Sequence, residues 1–224
     1  MFLKHTFALI VATLPAYALS AHAGASLFVD DAAATPAGRC QVEAWARGYT
    51  PGQEFTVVPA CTWAGTEFGL GISQYTRPSH GPIANFGLKR LFRDFDQHIW
   101  GVGASLGATW NGDHNRVDGW TFNVPASITL TADRRTVMHM NLGWSAVRGA
   151  PDAVTGGVGM EHALSDAWWL LTEVYGDRRG DRGGQLGLRR SVGPSASLDV
   201  LVGHQRGIAR GPWLTVGLNV LLPQ

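Results

Sequence analysis

Cys40 and Cys61 are the two thiols of this chain. In an oxidising compartment they would pair as a disulfide, and in a reducing one they would stay free. Neither belongs to a Cys-x-x-Cys element and no histidine lies near either, so the spacing offers no zinc site. His80, His98 and His114 fall in separate polar stretches, without ligand-like spacing. No metal and no cofactor is expected. A lipid hydrolase built into a membrane would need a Ser, a His and an acid or amide on its lipid face. His204 is suitably placed at the outer end of its segment, but no serine with a partner lies on an obvious neighbouring one. Gly101-Val102-Gly103 continues an alternating segment and precedes no helix, which removes a phosphate-cradle reading. The sequence therefore predicts that the protein is not an enzyme.

The ionisable residues are few and balanced. Lys+Arg number 18 against 17 Asp+Glu, and charged residues make up 16% of the chain, which leaves no basic patch for nucleic acid. The 29 glycines and 9 tryptophans are many for this length and fit closely packed strands with interfacial aromatics better than an ordinary enzyme core.

The elements that would position these residues begin after residue 23. Residues 1–23 carry Lys4 and His5, then an apolar run from Phe7 to Leu19 broken by Pro15, then the small-residue exit Ala21-His22-Ala23. That is the pattern of a cleaved secretory signal, and the run is short of the ~20 residues a spanning helix needs. Export makes the disulfide the expected state of the cysteines. Residues 24–38 show neither strand nor helix periodicity and are expected to form an irregular periplasmic lead-in.

Residues 39–224 alternate with period two almost throughout, in about twelve segments. The clearest runs Trp100, Val102, Ala104, Leu106, Ala108, Trp110 against Gly101, Gly103, Ser105, Gly107 and Thr109. Segments of about ten residues, tilted by roughly 45°, would cover the ~25 Å apolar band of an outer membrane. Arg90, Arg190, His162 and Gln74 fall on the apolar face only near segment ends. Trp100 and Trp168 would form one aromatic girdle, and Trp110, Trp120 and Trp144 the other. Brief turns at 132–135 and 164–166 interleave with longer polar stretches at 111–119, 148–152 and 177–183, the expected rhythm of periplasmic turns and external loops. The predicted fold is all-β: an antiparallel transmembrane β-barrel of about twelve strands. Pro59 and Pro125, inside proposed strands, each cost a ladder hydrogen bond.

The polar face of these segments becomes the lumen. It carries Arg39, Arg47, Lys89 and Arg189 against Glu43, Glu54, Glu67, Glu161, Glu173 and Asp199, with His139 and Asn141 on the same face. Mixed signs suit a lumen cross-linked by ion pairs, closed or weakly selective. Trp45, Trp169 and Tyr175 also point inward, where they would narrow the lumen or stack on a solute.

Register decides whether the cysteines meet. A two-residue loop at Thr50-Pro51 pairs Tyr49 with Gly52, so partner numbers sum to 101 and Cys40 faces Cys61. A turn centred on Pro51-Gly52 shifts the sum to 103 and leaves the cysteines diagonal but on one face. Direct opposition gives Cα atoms about 4.5 Å apart, whereas a diagonal pair at ~7–8 Å would need a bulge.

The stretch Phe28-Val29-Asp30-Asp31-Ala32, with Gly38-Arg39-Cys40-Gln41-Val42-Glu43-Ala44-Trp45 and Val58-Pro59-Ala60-Cys61, resembles a family of uncharacterised proteobacterial outer-membrane proteins. It is distantly similar to proposed transporters linked to the phenol-degradation (meta) pathway. The resemblance spans roughly the first forty residues after the signal. It implies an outer-membrane barrel and uptake of small molecules, and it carries over no catalytic residue.

The function expected is a passive channel or uptake protein for small solutes in a bacterial outer membrane, with outer-membrane lipid and a small-molecule solute as partners. The alternatives are a membrane-embedded lipid-modifying enzyme and a structural barrel without transport. The oligomeric state is left open.

Overall fold

The computed structural model describes residues 26–50, 52–77, 81–207 and 211–223. The expected signal peptide lies outside them. Twelve strands follow in chain order: β1 (Cys40–Tyr49), β2 (Gly52–Trp63), β3 (Thr66–Tyr75), β4 (Ile83–Arg93), β5 (Trp100–Asn111) and β6 (Arg116–Thr129), then β7 (Thr136–Val147), β8 (Ala153–Ala163), β9 (Trp168–Asp177), β10 (Arg182–Val192), β11 (Ala196–Arg206) and β12 (Gly211–Leu221). Each pairs antiparallel with its successor. β12 returns to β1 from Gln41↔Leu221 to Tyr49↔Trp213 and closes the barrel, leaving no strand edge exposed. Among the described residues no helix is long and apolar enough to cross a membrane.

Alternation turns the barrel inside out relative to a water-soluble protein. Leu142 (65% exposed) and Val174 (62%) face outward, while Asp199 (0%) and Glu161 (1%) are shut inside. The prolines are absorbed without a change of register. Between β2 and β3 the ladder lapses only between Val57↔Ile72 and Ala60↔Gly69, so Pro59 costs local pairing and nothing further. Between β5 and β6 it lapses likewise from Val102↔Ala126 to Ser105↔Asn123, beside Pro125, while β6–β7 pairing runs on through Pro125↔Asn141. The bulges lie elsewhere, at Leu91/Arg93 and Thr109/Trp110, towards strand ends.

We call the rim where β1 starts and β12 ends the near rim, and the opposite one the far rim. Trp63, Trp100 and Trp168 ring the near rim from outside, and Trp120 and Trp144 lie towards the far rim. Two near-rim rings carry an arginine over the face: the Arg93 guanidinium stands 4.3 Å from the Trp100 ring and that of Arg190 5.5 Å from Trp168. Each pair joins an apolar plate to a cation, as suits a membrane interface. The length rhythm expected of the connections is not found. Strands extend into the polar stretches, so the far-rim connections 112–115, 148–152 and 178–181 are as short as near-rim 94–99 and 130–135.

Cys40 and Cys61 are bonded as a disulfide, directly opposite each other with Cα atoms 4.0 Å apart. Tyr49 pairs with Gly52, so the first of the two registers holds. The bridge lies on the outward face at the near rim. Leu222 N–H donates to Cys40 O there (2.8 Å), which puts the covalent link at the seam where the barrel closes.

Candidate functional site

The lumen is occupied by the chain's own N-terminal segment. The described part of the expected periplasmic lead-in runs inside the barrel from Ser26 to Thr35, and the reason is visible in its bonds. An irregular strand of backbone has N–H groups to satisfy, and inward polar side chains of the barrel accept them. Glu173 on β9 takes two, Phe28 N–H at Oε1 (2.8 Å) and Val29 N–H at Oε2 (2.9 Å). Asn141 on β7 bonds Asp30 in both directions, accepting its N–H (2.8 Å) and donating to its O (2.7 Å). Ser127 on β6 accepts Ala32 N–H (2.8 Å), and Glu67 on β3 accepts both the N–H and the hydroxyl of Thr35 (2.6 Å each). Ser26 donates its hydroxyl to Asp199 (2.7 Å), and its O accepts from Arg47 and Gln185.

Aromatic contacts fix the middle of the segment. Phe28 stacks on inward Tyr175 at 4.3 Å and meets Trp213 edge-on at 6.0 Å, with the Arg47 guanidinium 4.5 Å over its ring. Nearer the near rim, Ala32, Phe95 and Val137 form a small buried apolar cluster. Phe95 N–H donates to Ala32 O, so connection 94–99 folds in beneath the segment.

The lumen residues picked out by alternation divide into groups. Arg47 pairs with Glu54 (3.4 Å) and Lys89 with Asp30 and Asp31 (2.8 and 3.0 Å). Arg189 pairs with Asp199 and Glu161 (2.7 and 3.1 Å). Glu173 and Glu67 hold the segment. Among the described residues Glu43 has a single long bond, from Gln41 (3.5 Å), and Arg39 donates to Leu222 O at the near rim (2.7 Å). The Ser127 hydroxyl, which accepts Ala32 N–H, is also hydrogen-bonded to His139 Nδ1 (2.8 Å). Trp45 donates to Glu54, and Tyr175 is taken up by Phe28. Sequence reasoning missed Ser26, Phe28, Asp30, Asp31 and Thr35, because without periodicity nothing places a segment inside rather than outside a barrel. Asp30-Asp31 beside an inward lysine was the available signal.

The segment does not fill the lumen evenly. Its start packs against β8–β12, where a Cβ added at Gly157 would stand 2.7 Å from Val29 Cγ2 and one at Gly217 3.1 Å from Ser26 Cβ; further along, Asp30, Asp31 and Thr35 cross to Lys89 on β4 and Glu67 on β3. Across the lumen, a Cβ added at Gly87 meets nothing within 4 Å. The space left there is a cavity of about 670 Å³ towards the far rim, lined by Trp45, Tyr49, Tyr75, Asn85 and Thr109 among others. A second, of about 340 Å³, lies deeper and contains Asp30, Asp31, Glu43, Glu67 and Lys89. A third, also about 340 Å³, lies between Phe28 and Asn123, Asn141 and Ser145.

A family model described as "Uncharacterised conserved protein UCP029691" matches residues 10–222. The chain belongs to that family. No curated protein matches it. The fold of this family member is similar to that of the KdgM porin (TM-score 0.68, 10% identity, 82% of this chain and 99% of that one). It is also similar to the KdgM porin in complex with disordered oligogalacturonate (TM-score 0.64, 8%, 83% and 99%) and to the NanC porin (TM-score 0.61, 9%, 82% and 100%). At such identities the likeness establishes the twelve-stranded barrel and carries no residue across. The distant similarity to transporters linked to phenol degradation finds no support in these comparisons.

Proposed function

We propose that this chain is an outer-membrane channel or uptake protein for small solutes. In this reading residues 1–23 are a cleaved signal peptide, the near rim is periplasmic, and residues 26–35 belong to the lumen. The observation that carries it is a closed barrel, apolar outside between two aromatic belts, whose polar interior keeps space beside the N-terminal segment. The solved structures of like fold are the KdgM and NanC porins, one of them in complex with disordered oligogalacturonate, which is consistent with small-solute traffic here. No observation favours the lipid-modifying enzyme: the cross-strand neighbours of His204 are Gly184 and Pro212, which supply no nucleophile.

The test is single-channel recording of the mature protein in planar bilayers. Small, regular openings are expected, small because the N-terminal segment, with Phe28 stacked on Tyr175, takes up part of the lumen. A folded barrel without openings would leave the structural reading in place.

A further inference from the structure

The two cavities on the open side share a wall, and the wall is where the sequence removes side chains. Leu27, Phe28, Val58, Gly69, Gly87 and Ser105 line both. At this waist the chain's own segment supplies Leu27 and Phe28, while β3, β4 and β5 supply two glycines and a serine. The cavities therefore adjoin end to end along the segment. Along them the charges differ from those on the strands alone. Towards the far rim, Arg47 is consumed by Glu54, which also accepts from Tyr49, Trp45 and Thr56. Deeper, Lys89 is claimed by Asp30 and Asp31 of the segment, whereas Glu43 and Glu67 form no ion pair among the described residues. Four carboxyl groups and one ammonium line that chamber.

Resting on the channel reading, we infer that solute passes eccentrically, between the N-terminal segment and the β2–β5 wall, and that this route favours cations over anions. Alternation alone counts Lys89 as a lumen cation. Once Asp30 and Asp31 are drawn inside, that cation is cancelled and Glu67, which has no cation partner among the described residues, sets the sign. A low-dielectric wall lined by fixed charge of one sign concentrates counter-ions and repels co-ions.

Gly87→Cys reads path and sign together. The native cysteines are bonded to each other, so the new thiol is the one that reagents meet. The variant is folded, reconstituted and treated in parallel with a cationic and an anionic methanethiosulfonate. Each reagent forms a mixed disulfide with the introduced sulfur and releases its sulfinate. Modification should at least halve the conductance, and the cationic reagent should react about tenfold faster. Glu67→Gln in the same background should narrow that ratio. Reaction without loss of conductance would overturn the path, and a faster anionic reagent would overturn the selectivity. If the unmodified protein never opens, the channel reading fails. The ratio of labelling rates, read by mass spectrometry, then still decides which ions reach position 87.

Discussion

The Ser26 hydroxyl donates a 2.7 Å hydrogen bond to Asp199, tying the first described residue to a strand near the other end of the chain. Asp199 can anchor it because it is itself held: Arg189 Nε and Nη2 meet its two oxygens at 2.7 and 2.8 Å, a bidentate fork fully out of water. The same guanidinium reaches Glu161 at 3.1 Å. Segment and barrel wall thus share one buried polar network.

That network predicts the effect of Arg189→Met. The change keeps volume but leaves two buried carboxylates without their cation, which should cost about 3–5 kcal/mol. Equilibrium unfolding of the reconstituted barrel in urea measures it. A loss below about 1 kcal/mol would mean that water reaches Asp199 and Glu161 freely enough to solvate them.

The position of the segment can be tested by cross-linking. A Cβ added at Gly159 would stand 3.4 Å from Val29 Cβ, close to the ~3.8 Å usual across a disulfide. The double variant Val29→Cys, Gly159→Cys should therefore form a second bridge on export, seen as a linked peptide in non-reduced digests. Adding Glu173→Ala, which removes the acceptor of both Phe28 N–H and Val29 N–H, should lower its yield. A segment lying outside the barrel would give two free thiols in both backgrounds.

How much of this was legible in sequence follows from what period two encodes. It assigns each strand residue to a face, so Glu43, Arg47, Lys89, His139, Glu161, Glu173, Arg189 and Asp199 fall on one face by alternation alone. It also fixes parity between strands, so Cys40 and Cys61 could be set on one face but not chosen between two registers. Strand ends were harder, because polar residues such as Asp118 and Arg182 continue a strand beyond the apolar band. The N-terminal segment was not legible at all. Its docking depends on acceptors at Glu67, Ser127, Asn141, Glu173 and Asp199, which become neighbours only once the barrel has closed.

The outward face predicts how the protein behaves in detergent. Leu142, Val174 and their neighbours would stay exposed in water as one continuous apolar band, so the mature protein should partition into detergent. A closed ladder without edges resists unheated dodecyl sulfate, so boiled and unboiled samples should migrate differently on a gel. Recovery as a soluble periplasmic monomer would contradict the membrane reading.

The last prediction concerns the Cys40–Cys61 bridge, whose location separates stability from transport. The bond closes a loop with a sequence separation of 21, and the chain-entropy model assigns such a loop on the order of 3 kcal/mol, acting through the unfolded state. Cys40→Ser with Cys61→Ser should therefore lower the urea midpoint by a corresponding amount. The effect should fall on stability alone. Both sulfurs lie on the outward face, whereas the lumen groups beside them, Gln41 and Ala60, alternate to the other side and keep their pairing without the bond. Openings of the double variant in bilayers should match those of the parent. The bridge also sits where Leu222 N–H meets Cys40 O, so a change in conductance on its loss would mean that it holds the seam itself, and that β1 and β12 part near Leu221 without it.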